Sequence, residues 1–341
     1  MICIISNQKG IDENVKRKNA FMGRIEKTAK ELTKYCAQNG IDGVPPFIVM
    51  AATETDVYRK PRPGMWHLFK SNVLDLFSSP NDDDDNVIVE LEFYVGDAAG
   101  RMKDHADTDY KWALNLKTPF YVPEQIFAES IVEKYKTDLS FHVLPITLPQ
   151  LKFDPASYLD SKKPVLNFSE FDMLLCVGPP AAGKSHFCKT FLTSRTVINQ
   201  DTLRTLPKCI NAALDALRKG QKIVIDNTNP TKDTRQMWIQ NVKSEYPSLK
   251  IGAIHFTADD YLVQHNDGYR EFSGALKEML DIPGPVFFDA KHVPGVAYHS
   301  FFKKFQIPTL DEGFDGVTKV DFYIDFTFNP SDESLWSYYY H

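Results

Sequence analysis

Gly178-Pro-Pro-Ala-Ala-Gly183-Lys184-Ser185, directly after the apolar run Met173-Leu-Leu-Cys-Val177, constrains this chain more than any other feature. It fits G-x-x-x-x-G-K-[ST] in the setting that pattern requires, an apolar strand before it and helical periodicity over 183–192 after it. The glycines let the backbone turn so that consecutive N–H groups face a polyphosphate, and the helix opening near Gly183 adds the positive end of its dipole. Gly178, Pro179, Pro180, Ala181, Ala182, Gly183, Lys184 and Ser185 are therefore the candidate nucleotide-binding residues, with Lys184 on the outer phosphates and Ser185 on magnesium. A tight strand-to-helix turn with an incidental Lys-Ser is the competing account, and it is the weaker one because pattern and context agree. This half of the chain reads as a nucleotide triphosphatase or kinase.

Strand and helix patterns alternate along the whole chain, so both halves are expected to be three-layer α/β with a parallel sheet. The first half shows strands at 2–5, 47–52 and 87–95 and helices at 20–38, 65–77 and 108–116. The second shows strands at 173–177, 196–199, 222–226 and 251–256 and helices at 183–192, 205–219 and 232–246. Between the halves, Pro145, Pro149, Pro155 and Pro164 exclude a long helix and place the domain boundary. A hydrophobic content of 43% in 341 residues supplies two cores and excludes disorder as the main state. No apolar run approaches the roughly 20 residues of a membrane-spanning helix, so no membrane partner is expected. Five cysteines without a C-x-x-C pair argue for a reducing compartment, cytosol or nucleus, and against a disulfide frame or structural zinc. The net charge of -6 lacks a global nucleic-acid signature but leaves room for a local basic groove. The acidic run at 81–86 reads as a solvated loop without function.

In open α/β sheets the chemistry sits just beyond the strand ends. The strand at 196–199 delivers Asp201, with Arg204 three residues on. A carboxylate there can accept the proton of an attacking hydroxyl, and an arginine beside it can grip an anionic acceptor. Alone, Asp201 would serve equally well as a helix cap; the phosphate loop tips the reading to catalysis. Asp226, after the next strand, either holds magnesium-bound water or sits in a turn that Asn227 and Asn229 merely cap, and the two readings stand level. In His265-Asn-Asp-Gly-Tyr-Arg270, Arg270 is either a lid arginine reaching the transferring phosphate or an ordinary surface charge.

The segments GPPAAGKS, INQDTLR, VIDNTNP, HND-GYRE and KKFQIPTLDEGF, spanning 173–314, together resemble the kinase module of the bifunctional polynucleotide phosphatase/kinase family. The resemblance implies that Asp201 is the base activating a 5'-hydroxyl, that Arg204 contacts the acceptor phosphate and that Arg270 assists the transferring phosphate. Gly268 stands where animal members often carry a second lid arginine. Ser6-Asn7-Gln8, Tyr58-Arg59-Lys60-Pro61 and Gly96-Asp97 to Arg101 resemble the second, third and fourth motifs of the family's haloacid-dehalogenase-like 3'-phosphatase. By that resemblance Ser6 and Asn7 meet phosphate, Lys60 neutralises it and Asp97 coordinates magnesium, with Asp104 and Asp109 in support. The family's D-x-D-G-T motif, expected before Ser6, does not occur, and Asp107-Thr-Asp109 at a helix start reads as capping. The phosphatase activity is therefore expected to be lost and the first domain damaged, since the missing strand would lie at the sheet's centre. No counterpart of the family's forkhead-associated module is expected.

The expectation is an incomplete phosphatase domain over 1–145, a linker over 146–170 and a P-loop kinase domain over 171–341. It implies ATP as co-substrate, magnesium, DNA with 5'-hydroxyl or 3'-phosphate ends, repair scaffold and ligase proteins as partners, and a nuclear setting, with mitochondria and cytoplasm as further sites. Arg204, Lys291, Lys303 and Lys304 are candidates for a phosphate-tracking groove. A small-metabolite kinase and a catalytically dead scaffold that binds DNA ends are the alternatives. The first-half motifs argue against the former, the intact GKS and Asp201 against the latter.

Overall fold

The computed structural model describes residues 1–77, 90–126, 145–159, 163, 165–283, 292–324, 326 and 330–341, without the side chains of 73–77. It divides into one unit of Met1–Lys152, Phe272–Val286 and Ser337–His341 and a second of Phe153–Glu271 and Phe287–Trp336.

In the first unit β1 (Ile2–Asn7) runs parallel to β2 (Phe47–Ala52), with Ile2 opposite Phe47 and Asn7 opposite Ala52. The crossover is α1 (Val15–Gln38), opened by Asn14, whose side chain accepts a hydrogen bond from the Arg17 amide. After α2 (Gly64–Phe77), β3 (Tyr94–Val95) and β4 (Phe120–Tyr121) form a second parallel pair across α3 (Thr108–Asn115), followed by the single turn α4 (Pro123–Ile126). Ile5, Ala52, Met65, Trp66, Phe69 and Trp112 make the core. The C-terminal residues close back onto this unit. Asn115 pairs both its amide groups with the Tyr339 backbone, at 2.7 and 2.9 Å, and Arg62 donates to the Tyr340 carbonyl at 2.7 Å while its guanidinium lies 4.0 Å from the Phe272 ring centroid.

This unit is α/β with parallel strands, but its described strands form two separate pairs instead of one sheet. Neither β1 nor β3 has a second neighbour among the described residues, and Ile2 and Ile4 remain 39% and 38% exposed. Of the strand expected at 87–95, only Tyr94–Val95 is one, while 87–89 lie outside the described residues, as do 81–86.

In the second unit the alternation builds one five-stranded parallel sheet. Its elements are β5 (Met173–Val177), α5 (Lys184–Phe191), β6 (Thr196–Ile198), α6 (Gln200–Leu203), α7 (Leu206–Arg218), β7 (Ile223–Ile225), α8 (Lys232–Glu245), β8 (Ile251–Phe256), α9 (Asp260–Met279, of which the residues to Glu271 belong to this unit), α10 (Gly295–Lys304), β9 (Gly316–Val320) and α11 (Ser331–Trp336). The strand order is β6-β7-β5-β8-β9. The two-residue period of a strand sends Leu174, Cys176, Val224 and Ile254 into one core and Met173, Leu175, Ile223 and Ile225 into the other, so helices cover both faces. The elements α9, α10, β9 and α11 lie beyond those expected from periodicity. Chain from Phe153 onward is core material: Phe153, Tyr158, Leu159 and Leu166 pack on the first of these cores and Phe168 is buried in it. The stretch expected as a linker, 146–170, is therefore divided between the units at 152/153, because its apolar side chains are too numerous to leave in water.

One buried ion pair ties α8 to the turn at Leu310–Glu312: Arg235 donates to both oxygens of Glu312, at 2.7 and 2.6 Å, with both side chains essentially excluded from solvent. Arg235 also donates to the carbonyls of Asn229, Pro230 and Gln306. Removing one partner strands the other charge. Glu312→Ala is predicted to destabilise this unit by about 3–5 kcal/mol in urea unfolding, whereas Arg218→Ala, whose partners Asp215 and Glu245 are exposed, costs at most about 1 kcal/mol.

Candidate active site

The phosphate loop follows β5, the central strand, where flanking connections depart to opposite sides. Gly178 is required by close approach, since a Cβ there would stand 2.8 Å from the Cβ of Phe256. Ala181 at φ 57° and Gly183 at φ 84° put two left-handed residues in the loop, curling its amides into a concave, anion-accepting face before α5 begins at Lys184. Lys184 is buried and donates to the carbonyl of Pro179. Burial pushes its ammonium down to about 8, against the opposing pull of Asp226, Cys176 and Cys188; the nearby Arg270 lowers it further.

Asp226 gathers the neighbouring strand ends. Its Oδ2 accepts from Ser185 Oγ at 2.6 Å and from Asn199 Nδ2 at 3.2 Å, while Asn199 also donates to its backbone carbonyl at 2.9 Å. Ser185 and Asp226 thus meet as two hard oxygen donors at the mouth of the loop, a donor set suited to magnesium. The neighbouring turn is capped as well: Asn229, at φ 42°, donates to the Cys176 carbonyl at 2.7 Å, and Asn227 accepts from the Gln200 amide at 3.0 Å. Of the two level readings, then, the asparagines cap and Asp226 faces the loop.

Asp201 lies in the first turn of α6, exposed, its amide held by the Asn199 side chain at 2.7 Å. Asn199 is therefore the helix cap, and the Asp201 carboxylate has no hydrogen-bond partner among the described residues. Arg204 ends the turn at φ 71° with its amide on the Gln200 carbonyl at 2.7 Å, and its exposed guanidinium forms no ion pair among the described residues. Arg270 is placed on α9, not on a polar loop. That helix leans on the phosphate loop through Asn266, which donates to the Ala181 carbonyl at 3.0 Å. Asp267, buried, accepts from Arg270 at 2.7 Å, from His292 at 2.9 Å and from the Val293 amide at 3.1 Å, and so orients the arginine. Lys303 and Lys304 are exposed in the last turn of α10; Lys291 lies outside the described residues.

In the first unit Lys60 is the centre of a buried cluster. Its ammonium donates to Asp109 at 2.6 Å, Tyr94 at 2.8 Å and the Ile5 carbonyl at 2.9 Å. Asn7 clamps the Lys60 backbone from both sides, at 2.9 and 3.1 Å, which makes Asn7 a positioning group here. Burial first, and then the charge of Asp109, hold the Tyr94 phenol well above its usual range. Ser6 accepts from Gln8 at 2.8 Å, and Asp97 is exposed after β3. Asp104 is bound by the guanidinium of Arg101 and by the amides of Ala99 and Arg101. The capping expected of Asp107 and Asp109 is not what forms: Asp107 makes no side-chain cap and pairs with Lys111, and Asp109 turns to Lys60 and the Ala98 amide.

Sequence reading passed over Asn199, Asn266, Asp267 and the Arg235–Glu312 pair. The signal for Asn199 was available, as a polar residue at a strand end before a helix; the others depend on partners 26 to 85 residues away.

A family model described as "Polynucleotide kinase 3 phosphatase" matches residues 1–127. The bifunctional polynucleotide phosphatase/kinase of Schizosaccharomyces pombe is 32% identical over 348 residues, covering 99% of this chain and 72% of that protein. The polynucleotide 3'-phosphatase of Saccharomyces cerevisiae is 44% identical over 71 residues, 20% of this chain and 29% of its own length. Among solved structures, a gluconokinase from Sinorhizobium meliloti aligns with 48% of this chain and 90% of its own at 10% identity and a TM-score of 0.30.

The depressed Lys184 sets a pH signature. A bound polyphosphate brings negative charge that favours the ammonium, so between about 8 and the ordinary 10.5 nucleotide binding takes up a proton. Calorimetric titration with a nucleoside triphosphate near pH 9, in buffers of different ionisation enthalpy, is predicted to show uptake approaching one proton, and none in Lys184→Arg, which stays charged throughout. A buffer-independent heat for the unaltered chain would refute this.

Proposed function

This chain belongs to the bifunctional polynucleotide phosphatase/kinase family, and from that premise we propose that it is an ATP-dependent 5'-hydroxyl polynucleotide kinase that prepares DNA strand ends for repair. The observation that carries the reading is the convergence, at one end of the parallel sheet, of the loop lysine, the Ser185–Asp226 oxygen pair and the unbonded Asp201 carboxylate.

The loop amides and Lys184 hold the triphosphate. Ser185 and Asp226 would hold magnesium, which supplies charge neutralisation on the phosphates when bound. Asp201, free of internal partners, accepts the proton of the 5'-hydroxyl as the oxygen attacks the γ-phosphate in line, and ADP leaves. Lys184 and Arg270 stabilise the charge that spreads over the transferring group, and Asp267 keeps Arg270 aimed. Arg204, Lys303 and Lys304 meet backbone phosphates of the incoming strand, so binding weakens with salt. No covalent enzyme intermediate is needed.

The first unit is the phosphatase half of the family. It retains the buried Lys60–Asp109 pair, Ser6 and the exposed Asp97, which suits a magnesium-side carboxylate, but the sequence contains no D-x-D-G-T. We assign no 3'-phosphatase activity to the 341-residue chain. The nuclear setting and the contacts with repair scaffolds and ligases are inferred from the same end-processing role. No helix among the described residues is long and apolar enough to cross a membrane.

The decisive measurement is transfer of labelled γ-phosphate from ATP to a 5'-hydroxyl oligonucleotide, with 3'-phosphate release followed in the same reaction. Transfer is expected, without release. Asp201→Asn is predicted to lower it by about 10²–10⁴-fold and Lys184→Ala by at least about 10²-fold. Phosphorylation of small alcohols in place of the oligonucleotide would replace this reading with a metabolite kinase.

A further inference from the structure

Behind the phosphate loop lie two thiols that the kinase reaction leaves unused, beside the Asp226 that it does use. Cys176 is the fourth residue of β5 and Cys188 the fifth of α5, and the first turns of that helix pack its inner face on the sheet beside Asp226. Both thiols are buried, at 0% and 1% exposure, and their sulfurs stand 3.7 Å apart. One ligand atom from each of Cys176, Cys188 and Asp226 falls within 4.8 Å of the others. Two sulfurs bound tetrahedrally at the usual zinc–sulfur length of about 2.3 Å stand about 3.8 Å apart. The cysteine pair therefore already has the spacing of two zinc ligands. Asp226 has its Oδ2 on Ser185 and Asn199, and Oδ1 forms no hydrogen bond among the described residues.

We propose that Cys176, Cys188 and Asp226 form an inhibitory site for a thiophilic divalent cation of the zinc class, entered past the exposed Ser185. Binding exchanges two thiol protons for the cation and leaves one position for water, the three-ligand pattern of an open zinc site. The cation draws Asp226 away from Ser185, and the oxygen pair suited to magnesium is broken. Magnesium, which takes oxygen ligands, does not compete for the thiolates. The kinase would thus be sensitive to free zinc in a way that magnesium does not relieve and a zinc chelator does.

Cobalt(II) is the probe. Added to the full chain under reducing conditions, it is expected to give a thiolate-to-cobalt charge-transfer band and the strong visible bands of a tetrahedral site at one equivalent, displaced by zinc. Cys176→Ala and Cys188→Ala, neither residue touching substrate, each lose the charge-transfer band or weaken it. In parallel, micromolar zinc lowers phosphate transfer by about tenfold or more in the unaltered chain, and by less than about twofold in either variant, while metal-free rates agree. Absence of the cobalt band, its undiminished intensity in both variants, or equal zinc inhibition in all three chains would overturn the site. The absorbance does not depend on the kinase assignment: a band without oligonucleotide phosphorylation would sink that assignment alone, and phosphorylation without a band would sink the metal site alone.

Discussion

The second unit's chemistry hangs on Asp226. Three strand ends converge there: Ser185 from the loop after β5, Asn199 from the end of β6, and Asp226 itself at the end of β7. The parallel order β6-β7-β5 makes this possible, because it brings three carboxyl-terminal ends to one edge of the sheet. A carboxylate only 5% exposed is costly unless its lone pairs are met, and its two hydrogen bonds come from Ser185 and Asn199, which also donates to the Asp226 backbone carbonyl. That asparagine also holds the Asp201 amide. The buried carboxylate and the exposed one are thus set by the same side chain, so the distance between nucleotide loop and base follows from satisfying one buried charge.

Two other buried charges organise their surroundings in the same manner. Arg235, fully buried, is matched by Glu312 and three carbonyls, which locks the turn after β7 to a segment 77 residues later. Lys60 is matched by Asp109, Tyr94 and the Ile5 carbonyl, bringing the end of β1, the loop before α2 and the first turn of α3 to one point. Buried ion pairs add little net stability relative to apolar packing. Their value here is geometric, since each specifies a single register between elements that apolar contacts alone would leave free to slide.

Much of this was legible from the chain. The loop, its strand and its helix declare themselves because each rests on local rules: an apolar run, glycines where the backbone must curl, helical periodicity after them. Asp201, Asp226 and Arg204 were found by looking just past each apolar run. The expected placement of Arg270 on a polar segment failed, since His265, Asn266 and Asp267 are all buried although polar, and hydrophobic periodicity is blind to a helix that buries polar side chains against partners. The division between the units, at 152/153, falls inside the expected 146–170, but the prolines there hid that the aromatic residues from Phe153 onward are core. Among the described residues of the first unit the strands form two parallel pairs, since pairing depends on which strands find neighbours and not on strand pattern alone.

By itself the sequence determined the α/β class, the phosphate loop and the strand-end acids, since these follow from periodicities and turn chemistry within about ten residues. Only the tertiary structure decided which acid is buried and which stays free, that Asn199 rather than Asp201 caps its helix, and that Asp267 aims Arg270. It alone brought Cys176 and Cys188 to 3.7 Å beside Asp226. Each of these is a choice between partners distant in sequence, made by the desolvation of polar groups when two core layers close on the sheet.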